Sequence, residues 1–162
     1  MGNNMLLRKA TIDDIELLLK LRIDYLLDEN KIKSIDDADI LKTKLRDYFN
    51  KWIPVDGFIA YIAENDSEIC STAFLSIVER PPRTADSSYL VGTVYNVYTY
   101  PNYRRKGIAT EVMRALLSEA KQQGVASVDL LSTNDGKHLY EKLGFELPSY
   151  TFMRKKLKIA LA

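Results

Sequence analysis

Asn96-Val97-Tyr98-Thr99-Tyr100-Pro101-Asn102-Tyr103-Arg104-Arg105-Lys106-Gly107-Ile108-Ala109-Thr110 is the stretch around which the chain is organised. Upstream, Val91, Thr93, Tyr95 and Val97 alternate with Leu90, Gly92, Val94 and Asn96, the period of a strand. Pro101 stops that strand, because proline has no amide to give a ladder. A basic turn containing Gly107 follows, and the apolar period then becomes 3.6 through Val112, Met113, Leu116, Leu117 and Ala120. Strand, turn and helix in this order aim free backbone N–H groups and the positive end of a helix at one point. Such a point is an anion site, and phosphate is its usual occupant.

The spacing excludes two familiar phosphate loops. There is no Gly-x-x-x-x-Gly-Lys-Ser/Thr run and no Gly-x-Gly-x-x-Gly after a strand. What stands here is Arg104-x-x-Gly107-x-Ala109, preceded by Tyr-Pro-x-Tyr. This resembles the acetyl-CoA pyrophosphate loop of the GNAT superfamily of N-acetyltransferases, whose pattern is Gln/Arg-x-x-Gly-x-Gly/Ala. A second family feature lies downstream, Leu139-Tyr140-Glu141-Lys142-Leu143-Gly144-Phe145. Together they extend the resemblance over nearly the whole chain.

A chain of 162 residues fits one domain with one core, so a single domain over 1–162 is expected. Its 46% apolar and 28% charged content is that of a soluble globular protein. A formal charge of +1 gives no reason to expect nucleic acid or an anionic membrane as partner. The lone Cys70 has no disulfide mate, and one Cys with one His does not make a zinc site, so no metal is expected. No run approaches the roughly 18 apolar residues of a membrane span, and 1–9 lacks a signal peptide's apolar stretch. A reducing, cytoplasmic setting is the simplest reading.

Leu6 and Leu7 begin a first strand. Thr11 with Asp14 forms a capping box that opens a helix whose face is Ile12, Ile15, Leu18, Leu19, Ile23 and Leu26. A second helix opens near Asp36 or Asp37, carries Ile40, Leu41, Leu45, Tyr48 and Phe49, and closes at Pro54. Residues 57–63 and 69–79 read as a hairpin turning at Asn65-Asp66-Ser67. After a loop over 80–88, the strand at 89–98 reaches the anion turn. Gly124 ends the next helix, 125–131 is a fifth strand, and Asn134 or Asp135 opens a last helix capped by Gly144. Two closing strands, 145–147 and 150–157, are parted by Pro148. The order β-α-α-β-β-β-α-β-α-β-β predicts an α+β domain with a mixed seven-stranded sheet between helices, antiparallel early and parallel around the turn. It is also the GNAT order.

For the site, the amides of Arg105, Lys106, Gly107, Ile108, Ala109 and Thr110 are the candidate anion donors, with Arg104 and Arg105 adding charge and Thr110 a hydroxyl. The resemblance makes the anion the diphosphate of acetyl-CoA. It also makes the main chain of Val97 and Thr99 the partner of the pantetheine arm, with an N–H near Tyr98 polarising the thioester carbonyl. Core packing serves these side chains equally well. The resemblance gives Tyr140 the part of acid toward the departing thiolate, and packing is the alternative. Where many family members carry Asn seven residues before this Tyr, the chain has Thr133. Asn134, one residue later, either replaces it at the pantetheine or caps the helix. His138 and Gly136 are equally open between site and packing. Glu79 is the candidate base, with Asp86 behind it and a plain surface carboxylate as the alternative. Cys70, in an apolar strand, reads as core, which favours direct transfer without a covalent enzyme intermediate.

The function these readings imply is an acetyl-CoA-dependent N-acetyltransferase that passes acetyl to a primary amine in a ternary complex. The alternative is a sensor that binds acyl-CoA at the same site without turnover. A nucleic-acid contact through Tyr103-Arg104-Arg105-Lys106 lacks the wider basic face it needs. The acceptor is a small-molecule amine or a peptide or protein amine, and the closing strands offer edges for a homodimer.

Overall fold

The computed structural model describes residues 5–85 and 88–159. They fall into two compact units, one ending at Leu131 and the other beginning at Ser132.

The first unit opens with β1 (Met5–Lys9). The expected capping box follows: the Thr11 hydroxyl accepts from the Asp13 amide at 3.3 Å, and the Asp14 carboxylate accepts from the Thr11 amide at 2.8 Å. A 3-10 turn over Ile12–Asp14 leads into α1 (Ile15–Asp28). The Arg8 guanidinium straps this corner, taking both oxygens of Asp14 at 2.9 Å and Glu64 at 2.8 Å. α2 (Ile35–Trp52) begins slightly ahead of Asp36 because Ser34 caps it, accepting from the Asp37 amide at 3.0 Å.

β2 (Phe58–Asn65) and β3 (Glu68–Glu79) form the hairpin. Its two turn residues, Asp66 and Ser67, have φ of 49° and 68°, the positive pair that a two-residue turn between twisted strands requires. β4 (Leu90–Thr99) leads through a 3-10 turn at Pro101–Tyr103 into α3 (Ile108–Gln122), and β5 (Ser127–Asp129) follows. The sheet order is β1-β2-β3-β4-β5, antiparallel through β4 and parallel between β4 and β5, as the sequence led us to expect. Residues 70–75 of β3 are buried without a break, so both faces of the sheet are covered. Phe58, Ala60, Ile62 and Phe74 pack with Leu18, Leu19, Leu21 and Phe49 of α1 and α2. The alternate residues Ile59, Ala63, Ala73 and Leu75 are buried on the opposite face, and the buried stripe of α3 is Ile108, Val112, Met113, Leu116 and Ala120.

The second unit contains α4 (Lys137–Lys142). Here two expectations are corrected. The helix opens at Lys137, not at Asn134 or Asp135, because Thr133 organises the preceding turn: its hydroxyl accepts from the Gly136 amide at 3.2 Å and its carbonyl from Lys137 at 3.1 Å. The two closing strands are not formed, so the sheet has five strands among the described residues instead of seven. Residues 145–159 contain neither helix nor strand. Aromatic and apolar residues at 150, 152, 153 and 157 raise strand propensity, but propensity holds a strand only where a neighbour completes its ladder. Arg154, Lys155, Lys156 and Lys158 also interrupt the alternation that would give one apolar face. The dimer contact expected through those strands therefore has no strand to use.

Candidate active site

β4 carries the feature from which the site is built. Phe74 pairs with Tyr95 and Thr72 with Tyr98, so Ala73 faces two residues, Asn96 and Val97. This is a β-bulge, and Asn96 within it has φ +54°, a conformation Asn tolerates better than most residues. Asn96 is 2% exposed and satisfied locally: its Nδ2 donates to the Leu21 carbonyl at 3.4 Å, and its Oδ1 accepts from Arg22 Nη1 at 3.3 Å.

The bulge resets which backbone groups face outward. The Leu90 carbonyl accepts from Ala126, on the β5 side, whereas the Tyr100 amide donates to Cys70 on the extension of β3 at 3.0 Å. Groups two apart on a strand point the same way, so beyond the bulge Tyr98 bonds toward β3, and Val97 and Thr99 turn outward. β5 pairs only with Val91, Gly92 and Thr93. From Val94 to Thr99, β4 therefore has one edge without a strand neighbour among the described residues.

The turn after β4 is held from outside and left bare within. Arg104 Nε donates to the Thr99 carbonyl at 2.8 Å, its Nη2 meets Asp28 at 3.3 Å, and its guanidinium lies 5.7 Å from the centre of the Tyr98 ring. Tyr103 donates to Glu68, which pushes its own pKa up to about 12. Arg105 and Gly107 take positive φ, 64° and 78°. Gly107 caps α3 without a side chain, and its carbonyl accepts from Thr110 and Glu111. The amides of residues 105–109 have no protein acceptor among the described residues. A Cβ on Gly107 would meet nothing within 4 Å, so the space before these donors is open. Five uncommitted amides at a helix N-terminus, beside exposed Arg105 and Lys106, suit a doubly charged phosphate group.

Residues 56–147 match the family model of the GNAT acetyltransferase domain. The chain belongs to the GNAT acetyltransferase family. A predicted acetyltransferase from Clostridium acetobutylicum, crystallised with acetyl-CoA, is 30% identical to this GNAT chain and superposes with a TM-score of 0.81, covering 93% of this chain and 96% of that one. The amino-acid acetyltransferase of Pectobacterium carotovorum is 25% identical over 154 residues, 95% of this chain, but the chain spans only 30% of that protein's length. An aminoglycoside N-acetyltransferase in complex with CoA has the same fold, with a TM-score of 0.72 at 19% identity over 96% of this chain and 97% of that one.

The other expected site residues of this GNAT chain are distributed as follows. Val97, Tyr98, Thr99 and residues 104–110 lie together along the β4 edge and the turn. Arg104, though exposed, is committed to the turn's own structure, leaving Arg105 and Lys106 as the turn's cations without a carboxylate partner among the described residues. Tyr140, in α4, stacks edge-on to Phe145 with centroids 5.8 Å apart, and Gly136 leaves room for its ring, since a Cβ there would come within 3.2 Å of it. Gly144, with φ +86°, closes α4, and Phe145 donates back to the Tyr140 carbonyl at 3.0 Å. His138 and Asn134 are exposed. Glu79 is brought to a different place from the β4 edge and the turn: it pairs with Leu90, at the opposite end of β4. That is about 20 Å of strand from the bulge. Asp86 lies outside the described residues. Cys70 is fully buried, and burial pushes its thiol pKa up. Among the described residues no group of His, Cys, Asp and Glu could hold a metal, and no helix is long and apolar enough to cross a membrane.

Two further residues belong to this site beyond those the sequence pattern singles out. The signal for Asn96 is a short amide side chain amid apolar strand neighbours, which marks a bulge. The signal for Arg22 is a cation set between Leu21 and Ile23 on an apolar helix face.

Proposed function

We propose that this chain is an N-acetyltransferase that moves acetyl from acetyl-CoA to a primary amine by direct attack. The observation that carries the reading is the row of free amides at 105–109, placed at the end of the open β4 edge. The diphosphate binds those amides, with Arg105 and Lys106 adding long-range attraction. The pantetheine arm follows Val94–Thr99 as an added strand, bonded to the outward groups of Val97 and to the Thr99 amide, the Thr99 carbonyl being taken by Arg104. The thioester carbonyl then accepts from an amide beside the bulge, where negative charge develops in the transition state. Tyr140 supplies the proton that the departing thiolate needs. A phenol ordinarily holds its proton at neutral pH, with a pKa of about 10 against about 8.5 for a thiol, and can donate as charge builds. Glu79, paired with Leu90 at the far end of β4, is not assigned as base, because an acid–base group must stand within hydrogen-bond reach of the amine; the amine attacks as its free base, and the proton it sheds on acylation passes to solvent.

The test is coenzyme A release from acetyl-CoA with a panel of amines, comparing wild type with Tyr140→Phe. The variant is expected to bind coenzyme A normally by calorimetry and to lose roughly 100-fold in kcat. Full turnover by the variant would remove Tyr140 from the reaction.

A further inference from the structure

Arg22 sits where α1 meets the β4 bulge. Leu21 and Ile23 on either side are buried, which fixes the helix so that Arg22 is drawn in, half-buried, against the strand. Its Nη1 donates to Asn96 Oδ1 at 3.3 Å, and its guanidinium carbon lies 5.6 Å from the centre of the Tyr25 ring. Burial pulls its pKa below the ordinary value, and among the described residues the acidic groups whose field it feels are only the phenols of Tyr25 and Tyr95. An arginine nevertheless keeps its charge at any working pH.

Among the described residues, five cations are partly buried: Arg8, Lys9, Arg22, Lys42 and Arg46. Four of them hold a carboxylate. Arg8 meets Asp14 at 2.9 Å, Lys9 meets Glu119 at 2.7 Å, Lys42 meets Asp39 at 3.2 Å and Arg46 meets Glu16 at 2.9 Å. Arg22 alone has none. A guanidinium removed from water without a counter-ion is costly, and four of its five donors are unused by Asn96. Proteins retain such a group where a ligand brings the missing charge.

Coenzyme A brings it to a different place. Its phosphates belong at the amides of 105–109, while the part of the arm beside the bulge is uncharged. Beside Arg22 stands the ring of Tyr25 from α1; the phenol of Tyr95 from β4 lies within the arginine's field, and Tyr48 of α2 lies in turn within the field of Tyr95. Tyr95 is 46% exposed, so this cluster reaches solvent. A planar guanidinium beside these rings has the shape and charge to take a carboxylate in a two-pronged bond.

We infer that Arg22 receives a carboxylate of the acceptor, so that the amine acetylated belongs to an amino acid or to another amine carrying a carboxylate a few bonds away. The inference rests on the acetyl-transfer reading above and narrows its substrate class. The carboxylate neutralises Arg22, Asn96 holds the guanidinium in plane, and the amine is left to face the β4 edge. A purely cationic amine is repelled by the same residue.

Coenzyme A release is to be followed with the twenty amino acids and, for each that reacts, with its carboxamide. The acid should exceed the amide by roughly 10- to 100-fold in kcat/KM, the worth of a charge-assisted pair. Arg22→Gln should collapse that ratio through KM for the acid. Arg22→Lys should restore part of it, because charge returns without the fork. The KM for acetyl-CoA and the melting temperature report whether each variant is intact. If Arg22→Gln does not fold, the wild-type ratio and Arg22→Lys decide the matter. Equal use of acid and amide, a ratio that the variants leave unchanged, or a protein that binds coenzyme A yet acetylates no amino acid would overturn the inference. Failure of the wild type to bind coenzyme A would instead overturn the transferase reading beneath it.

Discussion

The two ends of α3 treat polar groups in opposite ways. At its C-terminal end Glu119 is fully engaged: Lys9 donates to it at 2.7 Å, Gln123 at 2.8 Å and the Tyr61 phenol at 3.4 Å, while Lys9 also holds Asp56 at 3.2 Å. At its N-terminal end five consecutive amides find no protein acceptor among the described residues, and the cap is a glycine that offers no side chain. Arg104 ties that end together from outside without filling it. One end spends its hydrogen bonds on holding the helix to β1 and β2, and the other withholds them. Where donors are withheld at an otherwise well-tied corner, a ligand is the natural partner.

The contrast breaks most sharply at Gly107. Gly107→Glu projects a carboxylate into the open space before the amides and forces an L residue to φ +78°. Calorimetry should then find coenzyme A binding weakened by at least about 100-fold, whereas Gly107→Ala should chiefly lose stability, by about 1 kcal/mol. Arg105→Ala removes an exposed cation and keeps the amides. Its affinity for coenzyme A should fall by roughly five- to tenfold at low salt, and the deficit should shrink as salt is added. The smallest effect belongs to the satisfied end. Glu119→Gln should cost about 1 kcal/mol, since Lys9 and Glu119 are partly open to water, with side chains 35% and 20% exposed. The hydrogen bond from Lys9, then that from Gln123, holds the Glu119 carboxyl below its ordinary 4.5. A depressed pKa makes this stabilisation complete above pH 4.5 and erodes it as the pH falls through the folded value. Melting curves of wild type and variant should therefore converge toward acid.

What the sequence disclosed was what local chemistry controls. Pro101 and Gly107 punctuate the strand-turn-helix, Thr11 with Asp14 writes its own capping box, and Asp66-Ser67 dictates a tight hairpin. Each signal acts within a few residues of itself. What stayed hidden depends on distant neighbours. The bulge exists because β3 and β4 differ by one residue in register, which neither strand announces alone. The division of labour between Arg104 and Arg105 depends on Asp28, and the isolation of Arg22 on which carboxylates fail to reach it. The expected strand over 150–157 erred for the same reason: its residues favour extension, but pairing is a property of two segments. Glu79 looked well placed by rank along its strand, and only the antiparallel pairing with β4 carries it to the far end.

Cys70 has a practical corollary. It is the sole sulfhydryl of the sequence, and it lies sealed within the sheet. A chromogenic disulfide reagent added to the folded protein should therefore report coenzyme product with almost no protein background. Its slow uptake by protein alone would count the moments when the sheet opens, giving a built-in clock for the core.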